Sequence, residues 1–279
     1  MDKTKILLAH SPDPDDAFMF YGLAKGHVDS GPYEFEHILQ DIESLNRRCL
    51  KRELHISAVS IHAYAHLHEH YALLASGASM GDGYGPMLVA RPGLSLDDVR
   101  GRKIAVPGTL TSAFLALRMA IGEFDYEVLA FDEITGGVAA GRFDAGLIIH
   151  EGQLTYADEG LELLLDLGVW WGGETGGLPM PLGGNAVRRD LGRDRMEELA
   201  AILKATIAYG LEHREEAVAY ALDFGRGLDM DLADRFVGMY VNELTLDYGE
   251  RGRESIRLFL DRAHREGLIP EPVSVEFIG

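Results

Sequence analysis

The sequence predicts an α/β protein with two lobes, a cleft between them and a helical segment at its carboxyl end. Two successive units alternate short apolar runs with helix-period segments, which predicts parallel sheets covered by helices. A glycine-rich stretch then leads into four long helix-period segments. Ligands of such sheets bind beyond the carboxyl ends of the strands, so we expect the functional site in the cleft.

The first unit contains the predicted strands and helices in alternation. Continuous or alternating apolar runs predict strands, and apolar residues three or four apart predict helices. Strands are therefore predicted at 5–10, 33–38, 56–60 and 71–76, and helices at 16–25, 41–51 and 61–68. The helix at 16–25 should bury Phe18 and Tyr21. Acidic residues open the helix at 41–51 and suit the positive end of its dipole.

The second unit follows the turn residues at 91–93 and repeats the order of the first. Strands are predicted at 103–106, 125–130 and 145–149, and helices at 96–99, 112–121 and 134–140. We therefore expect a second lobe formed by residues 91–179. The first lobe should combine residues 1–90 with residues 180–279, so that it is discontinuous in sequence.

The last third of the chain is predicted to be helical. Residues 172–184 hold six glycines and two prolines, a density typical of an irregular, mobile connection. Helical periodicity then covers residues 193–212, 214–224, 231–241 and 250–266. These helices should complete the first lobe after the chain has crossed back from the second.

Composition and charge limit the classes of function. The length of 279 residues suits two domains, and a hydrophobic share of 47% suits a sizeable core. A net charge of −19 disfavours nucleic acid and membrane surfaces as partners. The single cysteine, Cys49, excludes an internal disulfide framework and a cysteine-rich metal site. Apolar runs are too short for a signal peptide or a membrane span, so we expect a cytoplasmic protein.

Polar residues stand where predicted strands end. Thr111 and Ser112 open a helix, where free N–H groups and the dipole favour an anion, although either side chain could merely cap that helix. His150 follows a buried apolar run. A histidine there could act as a general base, or it could be a structural residue that bonds the backbone.

The histidine-rich segment has the spacing of a metal site. His62, His66 and His70 are four residues apart, as zinc ligands on a helix are. The glutamate of the metalloprotease motif is missing, so a solvated helix surface explains the pattern better.

Two further motifs have functional and structural interpretations. Asp13, Asp15 and Asp16 resemble weakly the Pro-Asp-Asp motif of zinc-dependent sugar deacetylases, but capping of the next helix by Asp15 or Asp16 is simpler. Trp170 and Trp171 could form a wall for an aromatic ligand, although core packing is commoner. The sequence contains no nucleotide-binding glycine motif and no G-x-S-x-G elbow.

Eight segments match one known family in chain order. They are SPDPDDAFMFY at 11–21, DIESLN at 41–46, GYGP at 83–86, AVPG at 105–108, GLIIHE at 146–151, DLGVWW at 166–171, LPMPLG at 178–183 and RRDL at 188–191. Together they resemble the 1,4-dihydroxy-6-naphthoate synthase family, which acts on cyclic dehypoxanthine futalosine in menaquinone biosynthesis. The segment at 146–151 is the most specific.

The resemblance implies a fold, an activity and a set of site residues. The fold is the two-lobed, type II fold of periplasmic solute-binding proteins. The activity is that of a carbon–carbon lyase, which releases the naphthoate from its sugar-derived remnant without a cofactor or metal. The substrate is a small carboxylated aromatic molecule. By position, the family implies His150 as the general base and Ser60, Thr111 and Ser112 as ligand-binding hydroxyls.

The opening segment differs from the family at three positions. Asp13, Asp15 and Ala17 stand where the family has Cys, Asn and Thr. A carboxylate of Asp15 in the cleft would repel a carboxylated substrate unless it is protonated or bonds a sugar hydroxyl. We include Asp15 and Asp16 among the expected substrate-binding residues. The alternatives are a cytoplasmic binding or sensing protein on the same scaffold, a chorismate-dehydratase-like enzyme and, last, a zinc deacetylase.

Overall fold

Two sheets form the frameworks of two lobes in the computed structural model, which describes residues 3–224 and 229–279. Their strands, in chain order, are β1 (Thr4–His10), β2 (Tyr33–Leu39), β3 (Ile56–Ser60), β4 (Tyr71–Leu74), β5 (Ser79–Gly81), β6 (Met87–Ala90), β7 (Ile104–Val106), β8 (Tyr126–Val128), β9 (Ala145–Ile148), β10 (Glu162–Asp166), β11 (Met180–Arg188) and β12 (Phe277–Ile278).

Helices cover the sheets and make up most of the last third of the chain. They are α1 (Pro14–Ala24), α2 (Ile42–Leu50), α3 (Ile61–Tyr64), α4 (Leu96–Arg100), α5 (Ser112–Ile121), α6 (Ile134–Ala139), α7 (Gly152–Thr155), α8 (Leu167–Thr175), α9 (Arg193–Glu212), α10 (Arg214–Leu222), α11 (Met230–Tyr240), α12 (Glu243–Leu246) and α13 (Gly249–Arg265). Within the described ranges, every helix is too short or too polar to cross a membrane.

Both sheets are mixed, whereas the sequence predicted parallel sheets; the predicted parallel pairing holds for β1, β2 and β3 and for β7, β8 and β9. The first sheet has the order β12-β4-β11-β3-β1-β2, with β5 also paired to β11. In this sheet β1 runs parallel to β2 and β3, whereas β11 runs antiparallel to β3, β4 and β5. The second sheet has the order β10-β6-β9-β7-β8, and β6 is antiparallel to both of its neighbours.

Each of the antiparallel strands β6 and β11 is the first strand after the chain has crossed from one sheet to the other. Strand β6 pairs with β9 and β10 in the second sheet, although residues 87–90 lie inside the range expected for the first lobe. The division of the chain at residues 90 and 180 stays a prediction.

The glycine-rich stretch at 172–184 is largely regular, which corrects the expected mobile connection. Helix α8 continues to Thr175, and β11 starts at Met180 in the interior of the first sheet. A Cβ at Gly184 would lie 2.4 Å from the hydroxyl oxygen of Tyr248. This glycine therefore allows an aromatic side chain to pack against a central strand, and it does not mark a flexible loop.

Several predicted elements agree with the structure, and the start of α1 does not. Strand β3 and helices α5 and α9 have the predicted bounds. Helix α1 begins at Pro14 with Asp13 at its N-cap position, where the Asp13 side chain makes no capping hydrogen bond. Capping by Asp15 or Asp16 was therefore a wrong prediction, and these residues lie inside the first turn.

A large hydrophobic cluster extends through both lobes and includes Trp171. Trp171 is fully buried, packs edge-on against Phe259 and donates from Nε1 to the Ser255 hydroxyl at 2.9 Å. Trp170 is half-buried beneath the Arg262 guanidinium. Both tryptophans therefore have packing roles, which is the commoner interpretation, and neither lines the cleft described below.

Candidate active site

A cleft between the two lobes contains about 740 Å³ of space not filled by protein atoms. Its walls come from strand ends and helix starts of both sheets, as expected for ligand sites in α/β folds. The lining residues are Ser11, Asp13, Asp15, Asp16, Met19, Ile42, Ala58, Val59, Ser60, Gly77, Ser79, Pro86, Thr111, Ser112, Ala113, Ile149, Leu182, Gly183, Gly184, Phe236 and Tyr240. Among the described residues, this lining holds three carboxyl groups and no Lys, Arg or His.

The start of α5 forms one part of the cleft wall. The Thr111 hydroxyl accepts from the Phe114 N–H at 3.1 Å and donates to the Gly108 carbonyl at 2.9 Å. The Ser112 hydroxyl accepts from the His62 N–H and donates to the Leu182 carbonyl. Both hydroxyls are thus used inside the protein. The first N–H groups of a helix have no partner within it, and Ser112 and Ala113, the first two residues of α5, both line the cleft.

Ser60 ends β3 in the same part of the cleft and is held by Asn46 on α2. The Asn46 amide nitrogen donates to Ser60 Oγ at 3.0 Å, and its amide oxygen accepts from the Ser60 N–H at 2.9 Å. In the first of these bonds the Ser60 hydroxyl is the acceptor. Its own hydrogen remains available to a ligand beside the start of α5.

His62 supports this part of the cleft wall from behind. It is 6% exposed, and its Nδ1 donates to the Thr111 carbonyl at 3.3 Å. Burial and the neighbouring His66 lower the pKa of His62 to about 4, so the ring is neutral near pH 7. The expectation of a solvated histidine face therefore fails at His62. No group of three or more potential metal ligands occurs within residues 3–224 and 229–279.

Three carboxyl groups around Ser11 form another part of the cleft wall. Asp16 is buried, and its Oδ2 accepts from the Ser11 N–H at 2.7 Å. The Ser11 hydroxyl lies 2.8 Å from that same oxygen and 2.8 Å from Asp13 Oδ2. Half-buried Asp15 lies in the lining beside them. We call Ser11, Asp13, Asp15 and Asp16 the acidic turn.

Burial keeps protons on the acidic turn. It raises the pKa of Asp15 well above the usual range, and the charges of Asp16 and Asp13 act in the same direction. Burial also raises the pKa of Asp16 to about 6, although the hydrogen bonds from Ser11 oppose the shift. A protonated Asp15 can donate a hydrogen bond into the cleft, whereas a carboxylate can only accept.

His150 lies just outside the lining, next to Ile149, and is 7% exposed. Its Nδ1 accepts from the Gly152 N–H at 2.9 Å, so Nε2 carries the hydrogen that is donated to the Phe131 carbonyl at 2.7 Å. A Cβ at residue 152 would lie 2.7 Å from the His150 ring, so glycine is required there. Both ring nitrogens are therefore engaged in this conformation.

The structure brings most of the predicted site residues to one cleft. Ser60, Thr111, Ser112, Asp15 and Asp16 all line it, whereas His150 is one residue beyond the lining. Sequence reasoning did not identify the supporting Asn46 or the cleft-lining Phe236 and Tyr240. Asn46 stands in a segment that resembles the family, which was a usable signal. The two aromatic residues lie on a helix with ordinary amphipathic spacing and had none.

The chain is similar to known proteins over nearly its full length. A family profile described as menaquinone biosynthesis matches residues 6–265. A 1,4-dihydroxy-6-naphthoate synthase of Thermus thermophilus is 40% identical over 266 residues, which are 95% of this chain and 96% of that protein. A protein of the same name from Streptomyces coelicolor is 36% identical over 278 residues, covering 97% and 96%.

Solved structures show the same architecture. A crystal structure from Archaeoglobus fulgidus is 45% identical and has a TM-score of 0.91, covering 95% of this chain and 98% of its own. An alkanesulfonate-binding protein of Xanthomonas axonopodis pv. citri has a TM-score of 0.72 at 13% identity, covering 99% and 97%. That second similarity concerns the fold alone, which is the two-lobed fold of periplasmic binding proteins.

Proposed function

The chain belongs to the menaquinone biosynthesis family, and we propose that it is a lyase that converts cyclic dehypoxanthine futalosine to 1,4-dihydroxy-6-naphthoate in the cleft between its lobes. The observation that carries this proposal is the lining of the cleft. It combines the start of α5 and the Ser60 hydroxyl with the carboxyl groups of the acidic turn. We place the reaction in the cytoplasm, as expected for a biosynthetic enzyme.

The part of the cleft wall formed by α5 suits the carboxylate of a naphthoate precursor. Ser60 and the first two residues of α5, Ser112 and Ala113, all line the cleft, and the dipole of a ten-residue helix adds positive potential at its start. Such a site needs no cationic side chain, which matches the lining. Thr111 and Ser112 contribute by fixing this turn, with their hydroxyls bonded to carbonyl oxygens.

The acidic turn suits the hydroxyl-rich, sugar-derived part of the same substrate. Asp15 and Asp16 can accept hydrogen bonds from hydroxyl groups, and a protonated Asp15 can also donate one. Retained protons reduce the repulsion that carboxylates would exert on an anionic substrate. Together, the start of α5 and the acidic turn would orient the substrate with its carboxylate toward α5.

His150 is the proposed general base. When the carbon–carbon bond breaks, a hydroxyl of the sugar-derived part loses its proton and becomes a carbonyl, and the bonding electrons pass to the ring system that becomes aromatic. His150 can accept that proton at Nδ1 only after the hydrogen bond from the Gly152 N–H is released, because Nε2 already carries a hydrogen. We propose that substrate binding turns the ring past Ile149 into the cleft, where the closed lobes exclude water.

A binding or sensing protein is the second candidate, and the bonding of His150 favours it. A ring with both nitrogens bonded to the backbone is inert as a base. In that case the cleft would bind the carboxylated ligand and release it unchanged.

The test is incubation of the purified protein with cyclic dehypoxanthine futalosine, followed by mass spectrometry for dihydroxynaphthoate. We expect product at a rate proportional to protein concentration. Calorimetric binding without product would reject the lyase in favour of the binding protein. Turnover of chorismate instead of the futalosine derivative would assign the chorismate-dehydratase-like alternative.

A further inference from the structure

The segment that carries His150 is held by Gln153. The Gln153 N–H donates to the His150 carbonyl at 2.9 Å, and its side-chain amide donates to the Ile148 carbonyl at 3.3 Å. These two bonds tie Gln153 to the carbonyls on either side of Ile149, so residues 148–153 form one hydrogen-bonded turn. Fixing Gln153 therefore fixes the backbone that carries the His150 side chain, while the bond from the Gly152 N–H to the ring can still be released.

Tyr240 of the first lobe forms a hydrogen bond to the turn at residues 148–153. The Tyr240 hydroxyl donates to Gln153 Oε1 at 2.5 Å, across 87 positions of sequence. Tyr240 and Gln153 are each 3% exposed, so water is largely excluded from the bond. Tyr240 ends α11, which packs against α1 and α10 of the first lobe, whereas Gln153 follows β9 of the second sheet.

The position of Tyr240 links this bond to the substrate site. Tyr240 lines the cleft together with Phe236 and with Asp15 of the acidic turn. A bond between the lobes lasts only while the lobes are closed, because separation by a few ångströms exceeds hydrogen-bond length. Tyr240 thus lines the cleft and, when the lobes are closed, bonds to the turn that carries His150.

We propose that Tyr240 is a positioning residue, whose bond to Gln153 fixes the turn at 148–153 and so sets the place of His150 when the cleft is closed. This inference rests on the proposed function, because the hydrogen bond between Tyr240 and Gln153 matters for activity only if His150 is the base of the reaction. Tyr240 would lower the barrier through Gln153, without itself transferring a proton.

The test compares Tyr240→Phe with Tyr71→Phe. Tyr240→Phe removes the hydroxyl and keeps the ring in the cleft wall. Tyr71→Phe is the matched control, because Tyr71 is also fully buried and donates to a carbonyl, that of Leu54 at 2.7 Å, on a strand of the first sheet away from the lining. Two readouts are needed, namely steady-state kinetics and hydrogen exchange of the peptide that covers residues 148–155.

We expect Tyr240→Phe to lower kcat about tenfold, the scale of one lost hydrogen bond, with a smaller change in KM. Amides in the 148–155 peptide should exchange faster in Tyr240→Phe and at the wild-type rate in Tyr71→Phe. Gln153→Leu removes the acceptor from the other side and should give the same two changes. The double variant should be no worse than either single variant, since one bond is lost.

Two results would overturn the inference. One is wild-type exchange at 148–155 in both Tyr240→Phe and Gln153→Leu. The other is an unchanged kcat in those variants of an active enzyme. If the wild-type protein forms no naphthoate, the proposed function fails, and the exchange measurement alone still decides whether Tyr240 holds the turn.

Discussion

At the scale of single residues, Ser11 brings two carboxyl groups to one hydroxyl. Ser11 Oγ lies 2.8 Å from Asp13 Oδ2 and 2.8 Å from Asp16 Oδ2. A hydroxyl has one hydrogen and cannot donate a full bond to both oxygens. A proton on one carboxyl, donated back to Ser11, completes the arrangement. The geometry and the raised pKa of Asp16 therefore agree that the acidic turn holds a proton above the pH at which a free aspartate ionises.

This proton makes stability depend on pH in a defined direction. Because burial raises the pKa of Asp16 to about 6, from 3.8, the folded chain keeps a proton that the unfolded chain has released. The contribution to stability is present below pH 3.8 and is lost as the pH rises through about 6. The free energy of unfolding of wild type minus that of Asp16→Asn should fall by about 1–3 kcal/mol between pH 4 and pH 7.

Urea unfolding of both proteins at several pH values measures this difference. A substitution at an exposed acid, Asp158→Asn, is the control and should leave the difference flat. His10 has its pKa lowered to about 3 by burial and acts in the opposite direction on total stability, which is why the difference is the quantity to follow. A pH-independent difference for Asp16→Asn would show that its carboxyl titrates normally.

At the scale of elements, the start of α5 contributes both to the stability of the protein and to the proposed binding of substrate. Thr111 caps this helix through its hydroxyl, and the first turn presents the N–H groups proposed to bind the carboxylate. Thr111→Ala should lower the free energy of unfolding by about 1 kcal/mol and raise KM, because the turn loses its fixed geometry. Thr111→Ser retains the cap and should restore both values. Chemical denaturation and steady-state kinetics check this, and an unchanged KM in Thr111→Ala would separate α5 from the substrate.

Local patterns predicted some elements well and failed for others, for physical reasons. Helices α5 and α9 have their predicted bounds, because propensity, periodicity and packing agree within one segment. Strand β11 was missed because its glycines have the composition of a loop. Its partners β3, β4 and β5 lie about 100 or more residues earlier in the chain, and nothing local marks that pairing.

At the scale of the whole molecule, closure of the lobes depends on contacts that span the cleft. The Glu43 carboxylate on α2 accepts from the Leu110 N–H at 3.1 Å in the loop before α5, and its other oxygen accepts from Arg47. This places a first-lobe side chain on the second lobe beside the proposed carboxylate site. We expect this contact to be lost if the two lobes separate.

Removal of this contact should favour the open form. Glu43→Ala is expected to increase the radius of gyration without ligand and to raise KM up to about tenfold, the scale of a hydrogen bond to a charged group. Glu53→Ala is the control, because Glu53 pairs with Arg48 in an exposed salt bridge. Small-angle scattering and kinetics measure the two effects. Identical scattering and KM in Glu43→Ala and wild type would mean that the contact does not hold the lobes together.

The arrangement of the two lobes explains which residues of the site could be predicted from sequence. Ser60, Thr111 and Ser112 were placed correctly in the cleft, because strand ends and helix starts of α/β units converge by topology. The pairing of Tyr240 with Gln153 depends on how two lobes meet, and no spacing in one segment encodes it. The orientation of the His150 ring also depends on a distant carbonyl, that of Phe131.

The most direct test of the proposed role of His150 is a single-turnover measurement with His150→Ala. The control is His66→Ala, because His66 is an exposed residue of the histidine-rich segment that begins at His62. We predict that His150→Ala binds cyclic dehypoxanthine futalosine but forms naphthoate about 10²–10⁴-fold more slowly, with partial recovery in added imidazole. His66→Ala should match wild type. Near-native turnover by folded His150→Ala would contradict the assignment of His150 as the base in this cleft.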